Sequence, residues 1–139
     1  MSRRLAREIA FKTLFQYDVG HNEEEPALSS LLDESGLNND YAAFARELVS
    51  GTIAHQAEID QSISPYLQHW EMDRLAAVDR SILRLATYEL LFRDDIPTAV
   101  SINEALDLSK AFNSDEAAKF LNGVLDKLAH DRLATKGDA

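Results

Sequence analysis

A chain of 139 residues, 45% hydrophobic and 27% charged, can bury one ordinary core, which excludes a disordered or fibrous protein. It holds no cysteine, so disulfides, thiolate metal centres and cysteine nucleophiles are excluded, in keeping with a reducing compartment. The net charge of −10 speaks against indiscriminate binding of polyanions.

That charge is unevenly spread. Residues 1–12 hold Arg3, Arg4, Arg7 and Lys12 against Glu8 alone, a net +3 that leaves −13 on the other 127 residues. A basic end on an acidic body suits a protein that engages an anion at one place and repels it elsewhere. It equally suits a solvated first helix whose arginines have no partner. Ala6, Glu8 and Lys12 interrupt any signal-peptide reading, and no apolar run approaches the roughly 20 residues of a membrane span. The expectation is one cytoplasmic domain over residues 1–139 with no membrane partner.

Leu5, Ile9, Thr13/Leu14 and Tyr17 recur at helical spacing, which predicts an amphipathic helix over 3–19 ended by Gly20. Pro26 reads as the first residue of a short helix closed by Gly36. Asn38, Asn39 and Asp40 are capping residues for a long helix from Tyr41 to about Ser62, and Ser64-Pro65 breaks it. Asp73 opens a helix to about Arg93 whose apolar residues spread around so much of its circumference that it reads as central. Pro97 starts a helix to Phe112, and Asn113-Ser114 caps a last one over 115–130, leaving 131–139 as a frayed tail. The fold class is all-α, with about seven helices.

No constellation for catalysis emerges. His21, His55, His69 and His130 are scattered, and no HExxH, glycine-rich phosphate loop or GxSxG occurs. Asp79 and Glu89 lie ten residues apart on one helix, about 15 Å, too far to form one site. The chain reads as a binding module, not an enzyme, with no cofactor and no metal. Asp79 falls beside the apolar stripe of Leu75 and Ile82, so it either pairs internally or faces a partner. Lys119-Phe120 fits a core position, and it also fits a base-stacking platform with a cation for phosphate. Gly123, inside the last helix, predicts close approach of another helix, and Asn122 and Asn103-Glu104 read as polar groups satisfied within the bundle.

Four strings occur in fixed order: Asp79-Arg80-Ser81-Ile82-Leu83-Arg84-Leu85-Ala86, Tyr88-Glu89-Leu90, Ile102-Asn103-Glu104-Ala105 and Lys119-Phe120-Leu121-Asn122-Gly123-Val124-Leu125-Asp126. With Arg7-Glu8 and Val49-Ser50-Gly51 upstream, the chain from about Arg3 to Leu128 resembles the NusB family of bacterial transcription antitermination factors. The resemblance implies two small helical bundles packed side by side and no catalysis. It implies binding of the single-stranded boxA element of nascent ribosomal RNA together with the small-subunit ribosomal protein NusE. Other Nus factors and RNA polymerase would complete the antitermination assembly.

Carried over by residue, the resemblance assigns RNA contacts to Arg3, Arg4, Arg7, Lys119 and Phe120, with Glu116 as a neighbour. It assigns the ribosomal-protein surface to Phe15, Asp79 and Arg80. Leu5 and Ala6 stand where the family's arginine cluster can be denser, so weak RNA binding without the partner is expected. Two alternatives remain at this point: a protein adaptor or homodimer without an RNA role, and the RNA-binding domain of a ribosomal RNA methyltransferase. A chain of 139 residues without a cofactor-binding domain argues against the second.

Overall fold

Seven α-helices, with no strand among the described residues, make up the computed structural model, which describes residues 2–68 and 71–137. They are α1 (Ser2–Gly20), α2 (Glu24–Ser35), α3 (Asn39–Ala54), α4 (Gln56–Ile63), α5 (Ala77–Phe92), α6 (Thr98–Phe112) and α7 (Asp115–Gly137). Helices α1, α2 and α3 pack on one another, as do α5, α6 and α7, with α4 set against α5 and α7. Helix α5 joins the two groups by packing on both α1 and α3. Its residues Ser81 to Leu90 are buried without interruption, as its wide apolar circumference predicts.

The predicted caps hold. The Asn38 side chain accepts from the Tyr41 amide at 3.0 Å, and Ser114 Oγ accepts from the Ala117 amide at 3.0 Å. Gly36 ends α2 with φ of 74°, a left-handed conformation that glycine adopts without steric cost. At the end of α1 the left-handed residue is His21, φ 53°, one place beyond the predicted Gly20 stop.

Most boundaries fall within two residues of expectation, and three differences are larger. The helix predicted over 41–62 is two helices, because the chain turns at His55, whose ring stacks on Phe92 at 4.2 Å. The break leaves the apolar register intact, with Ile59 and Ile63 as fully buried as Leu48, so periodicity alone could not reveal it. Helix α5 starts at Ala77 instead of Asp73, after a 3₁₀ turn over Met72–Arg74 and an extended Leu75. The tail expected to fray from Asp131 is helical to Gly137, tied down by Arg132 donating to the Leu91 carbonyl at 2.9 Å and by a Tyr66–Asp131 hydrogen bond. Residues 138 and 139 of that tail lie outside the described residues.

The glycine reading is also corrected. Gly123 is exposed, and a Cβ there would meet nothing within 4 Å. Close approach occurs instead at Gly51, where a Cβ would lie 2.3 Å from the Tyr88 ring. Tyr88 is buried and its hydroxyl donates to Glu47 at 2.9 Å, so it cannot swing aside freely. Gly51→Ala is therefore expected to cost about 1–3 kcal/mol in urea unfolding. Gly123→Ala should stabilise by about 1 kcal/mol, the ordinary helix-interior difference.

Candidate nucleic-acid interface

The three arginines of α1 have three different environments. Arg7 is 4% exposed and forms a bidentate pair with Glu89, both N–O distances 2.9 Å, while the Ser101 hydroxyl donates to the same carboxylate at 2.8 Å. Glu89 is 2% exposed. A guanidinium so enclosed has no face to offer a phosphate, so the expectation that Arg7 contacts RNA does not fit its placement. Arg7 is a strut joining α1 to α5 and, through Ser101, to α6.

Arg3 and Arg4 remain on the surface. Arg3 lies over the Phe44 ring, 4.5 Å from its centroid, and makes no ion pair among the described residues. Phe44, on α3, also receives Arg7 at 5.4 Å and Arg93 at 5.3 Å, so one buried ring orders three guanidinium groups. Arg4 has a side chain 65% exposed, and its Nη2 reaches Glu104 at 2.6 Å and Asp107 at 2.7 Å. Those carboxylates raise the Arg4 guanidinium above its ordinary range. Thus Arg4 and Arg7 are met in space by Glu89, Glu104 and Asp107, which come from α5 and α6 and are invisible to a linear count of charge.

Lys119 and Phe120 sit in the first turns of α7. Lys119 is exposed and makes no ion pair among the described residues, whereas Phe120 is half-buried with one side against the core. The ring borders an open groove of about 390 Å³ whose other walls include Arg74, Leu75, Asp79, Asn113 and Glu116. Asp79 lies in the first turn of α5 and accepts from the Asn113 amide at 3.0 Å. Burial pushes its carboxyl above the ordinary range despite that hydrogen bond. This carboxyl therefore contributes most to stability below its unfolded-state range, and that contribution is lost as the pH rises through the folded-state value.

Phe15 is half-buried on α1, its ring 6.3 Å from Phe11, which in turn meets the partly exposed Phe112 at 5.1 Å. Arg80 is occupied internally: it donates to Asp18 at 2.6 and 3.0 Å and to the carbonyls of Met72 and Leu75. It braces α1 against the turn that precedes α5, so of the three expected partner residues only Phe15 and Asp79 keep groups free for a contact.

The candidate residues do not converge on one pocket. Arg4 meets α6 at Glu104 and Asp107, Phe11 meets it at Phe112, and Asn113 leads to Asp79 and Phe120. Glu104 and Phe112 are separated by about 12 Å of helical rise. Arg4 and Arg7 therefore meet the middle of α6, whereas the Lys119-Phe120 pair follows its C-terminal end, and among the described residues no cavity lined by either arginine is also lined by Phe120. Among the described residues, no group of three His, Asp or Glu side chains is placed to hold a metal ion.

Sequence reasoning missed the part that Glu89, Asp107 and Phe44 play as partners of the arginines. A signal existed for the first. Arg7 shares the spacing i, i+4, i+7 with Phe11 and Leu14, both buried, which places it on the core face where a charge requires a buried counter-charge. Glu104 was read as satisfied inside the bundle, and it is half-buried between Arg4 and Arg7; Asn103 and Asn122, given the same reading, are exposed.

Comparison with known proteins points one way. The model of the NusB family matches residues 4–130. The transcription antitermination protein NusB of Bacillus velezensis is 50% identical over 131 residues, which cover 94% of this chain and 98% of that protein. The solved structure of T. maritima NusB is 41% identical with a TM-score of 0.86, covering 92% of this chain and 90% of that one. A structure of the antitermination factors NusB and NusE in complex with dsRNA is 30% identical with a TM-score of 0.85, covering 94% and 97%. With nearly its whole length matched in sequence and fold, the chain belongs to the NusB family.

Proposed function

We propose that this chain is a transcription antitermination factor that binds boxA RNA of nascent ribosomal RNA transcripts together with the ribosomal protein NusE. The observation that carries the RNA part is that the cations Arg3, Arg4 and Lys119 are exposed and that Lys119 stands beside a half-buried ring, Phe120. A single-stranded polyanion has phosphates for these cations, and Phe120 offers a base a ring already held against the core. Arg7 is left out of the RNA-contacting group and kept as the strut that presents Arg3 and Arg4.

Phe15 and Asp79 form the proposed NusE surface, braced by Arg80. Asp79 is a half-buried carboxylate with one neutral hydrogen-bond donor, so a cation from a basic partner would relieve its desolvation. Asp79→Asn is expected to weaken NusE binding about tenfold without lowering stability, which titration calorimetry and thermal unfolding measure together. Other Nus factors and RNA polymerase would join the complex in the cytoplasm. No helix among the described residues is long and apolar enough to cross a membrane.

Titrating labelled boxA RNA with and without NusE tests the proposal. Retention that strengthens with NusE is the expected result. A chain that binds NusE yet never retains RNA is a protein adaptor, and the RNA part of the proposal falls.

A further inference from the structure

The surface that should attract RNA is occupied by the protein's own carboxylates. Arg4 is the most solvent-accessible guanidinium of α1 that the structure engages in ion pairs, and it is held twice, by Glu104 at 2.6 Å and by Asp107 at 2.7 Å. The two acids differ in what else they do. Glu104 has a side chain 15% exposed and also reaches Arg7 at 3.5 Å, so it belongs to the interior network. Asp107 is 49% exposed, lies one turn further along α6 and, among the described residues, pairs with Arg4 alone. No packing requires it to be acidic. Its carboxylate takes one N–H of Arg4 Nη2 and sets a negative charge beside the donors that a phosphate would use.

Resting on the RNA reading above, we propose that Asp107 is an affinity-limiting residue that competes with RNA phosphate for Arg4. A phosphate that uses Nη2 displaces the carboxylate, and one that uses another donor of the 65% exposed side chain still lies next to its charge. Any RNA that uses Arg4 meets the same penalty. A specific complex has further contacts to offset it, whereas sequence-independent binding, which is nearly all electrostatic, is pushed to higher concentrations. The carboxylate thus keeps a protein that meets abundant RNA from being occupied by the wrong one, while leaving the ratio between right and wrong RNA unchanged.

The test is a double-mutant cycle on the NusE-bound protein, with two labelled single-stranded oligonucleotides, one carrying boxA and one of scrambled sequence. Asp107→Asn should tighten both by a similar factor of about two to five, the range of an exposed ion pair. In an Arg4→Ala background the same change should do less than half as much on a logarithmic scale. Unchanged affinity in Asp107→Asn overturns the proposal, and so does an equal gain when Arg4 is absent, which would mean general charge reduction instead of competition. Both variants are on the surface, so circular dichroism should show an unaltered fold. If the unmodified protein with NusE retains neither oligonucleotide even at low salt, the RNA reading fails first and the proposal goes with it.

Discussion

Replacing Arg7 with alanine is expected to remove about 3–5 kcal/mol of folding stability, because it strands Glu89 in the interior with its charge uncompensated. Against a total of about 5–15 kcal/mol for a domain of this kind, that is enough to leave much of the protein unfolded at ambient temperature. Lysine should rescue little, since a point charge cannot reproduce the two parallel hydrogen bonds to Glu89. Replacing Arg7 with Met and Glu89 with Leu together should recover most of the deficit, as apolar substitution of whole buried pairs commonly does. Urea unfolding followed by circular dichroism measures all three. A single Arg7→Ala change that costs under about 1 kcal/mol would show the pair to be dispensable. The result bears on function as well, because weakened RNA binding in any variant carrying Arg7→Ala would report unfolding and not a missing phosphate contact.

Phe120→Leu is expected to separate stacking from packing. Leucine keeps an apolar side chain against the core but removes the flat ring, so stability should change little while RNA affinity of the NusE-bound protein falls by about 1–3 kcal/mol. Lys119→Ala, fully outside the core, should reduce affinity without any stability change and lower the salt dependence by about 0.7 in slope. If Phe120→Leu costs stability but leaves RNA affinity untouched, the ring is core and the platform assignment is wrong.

What the sequence revealed and what it hid follow from the range of the interactions involved. Helix periods and caps are local, so α1, α2, α6 and the burial of α5 are readable from residues three and four apart. The turn at His55 is not, because its stabilising contact is with Phe92, 37 positions away, and the apolar register runs through it undisturbed. The arginine cluster shows the same limit more sharply. Adjacent positions in α1 gave Arg3, Arg4 and Arg7 one role, and long-range partners divide them into a ring-stacked cation, a carboxylate-held cation and a buried strut. Arg7's spacing from Phe11 and Leu14 carried the warning, but its counter-charge sits 82 residues away. Gly123 misled for a related reason: a helical glycine announces missing bulk without saying whether a neighbour fills it, and here none does.

These assignments make a counting prediction. Of the five residues that the sequence marks for RNA, three cations remain accessible, Arg3, Arg4 and Lys119, with Phe120 as the ring set against the core. The decisive measurement is the affinity of the NusE-bound protein for boxA RNA at a series of salt concentrations, for the unmodified chain and for a variant with all three cations replaced by alanine. The slopes of log affinity against log salt should differ by about 2, at roughly 0.7 for each phosphate of a single strand that is no longer neutralised. Equal slopes would mean that this surface does not meet the RNA backbone.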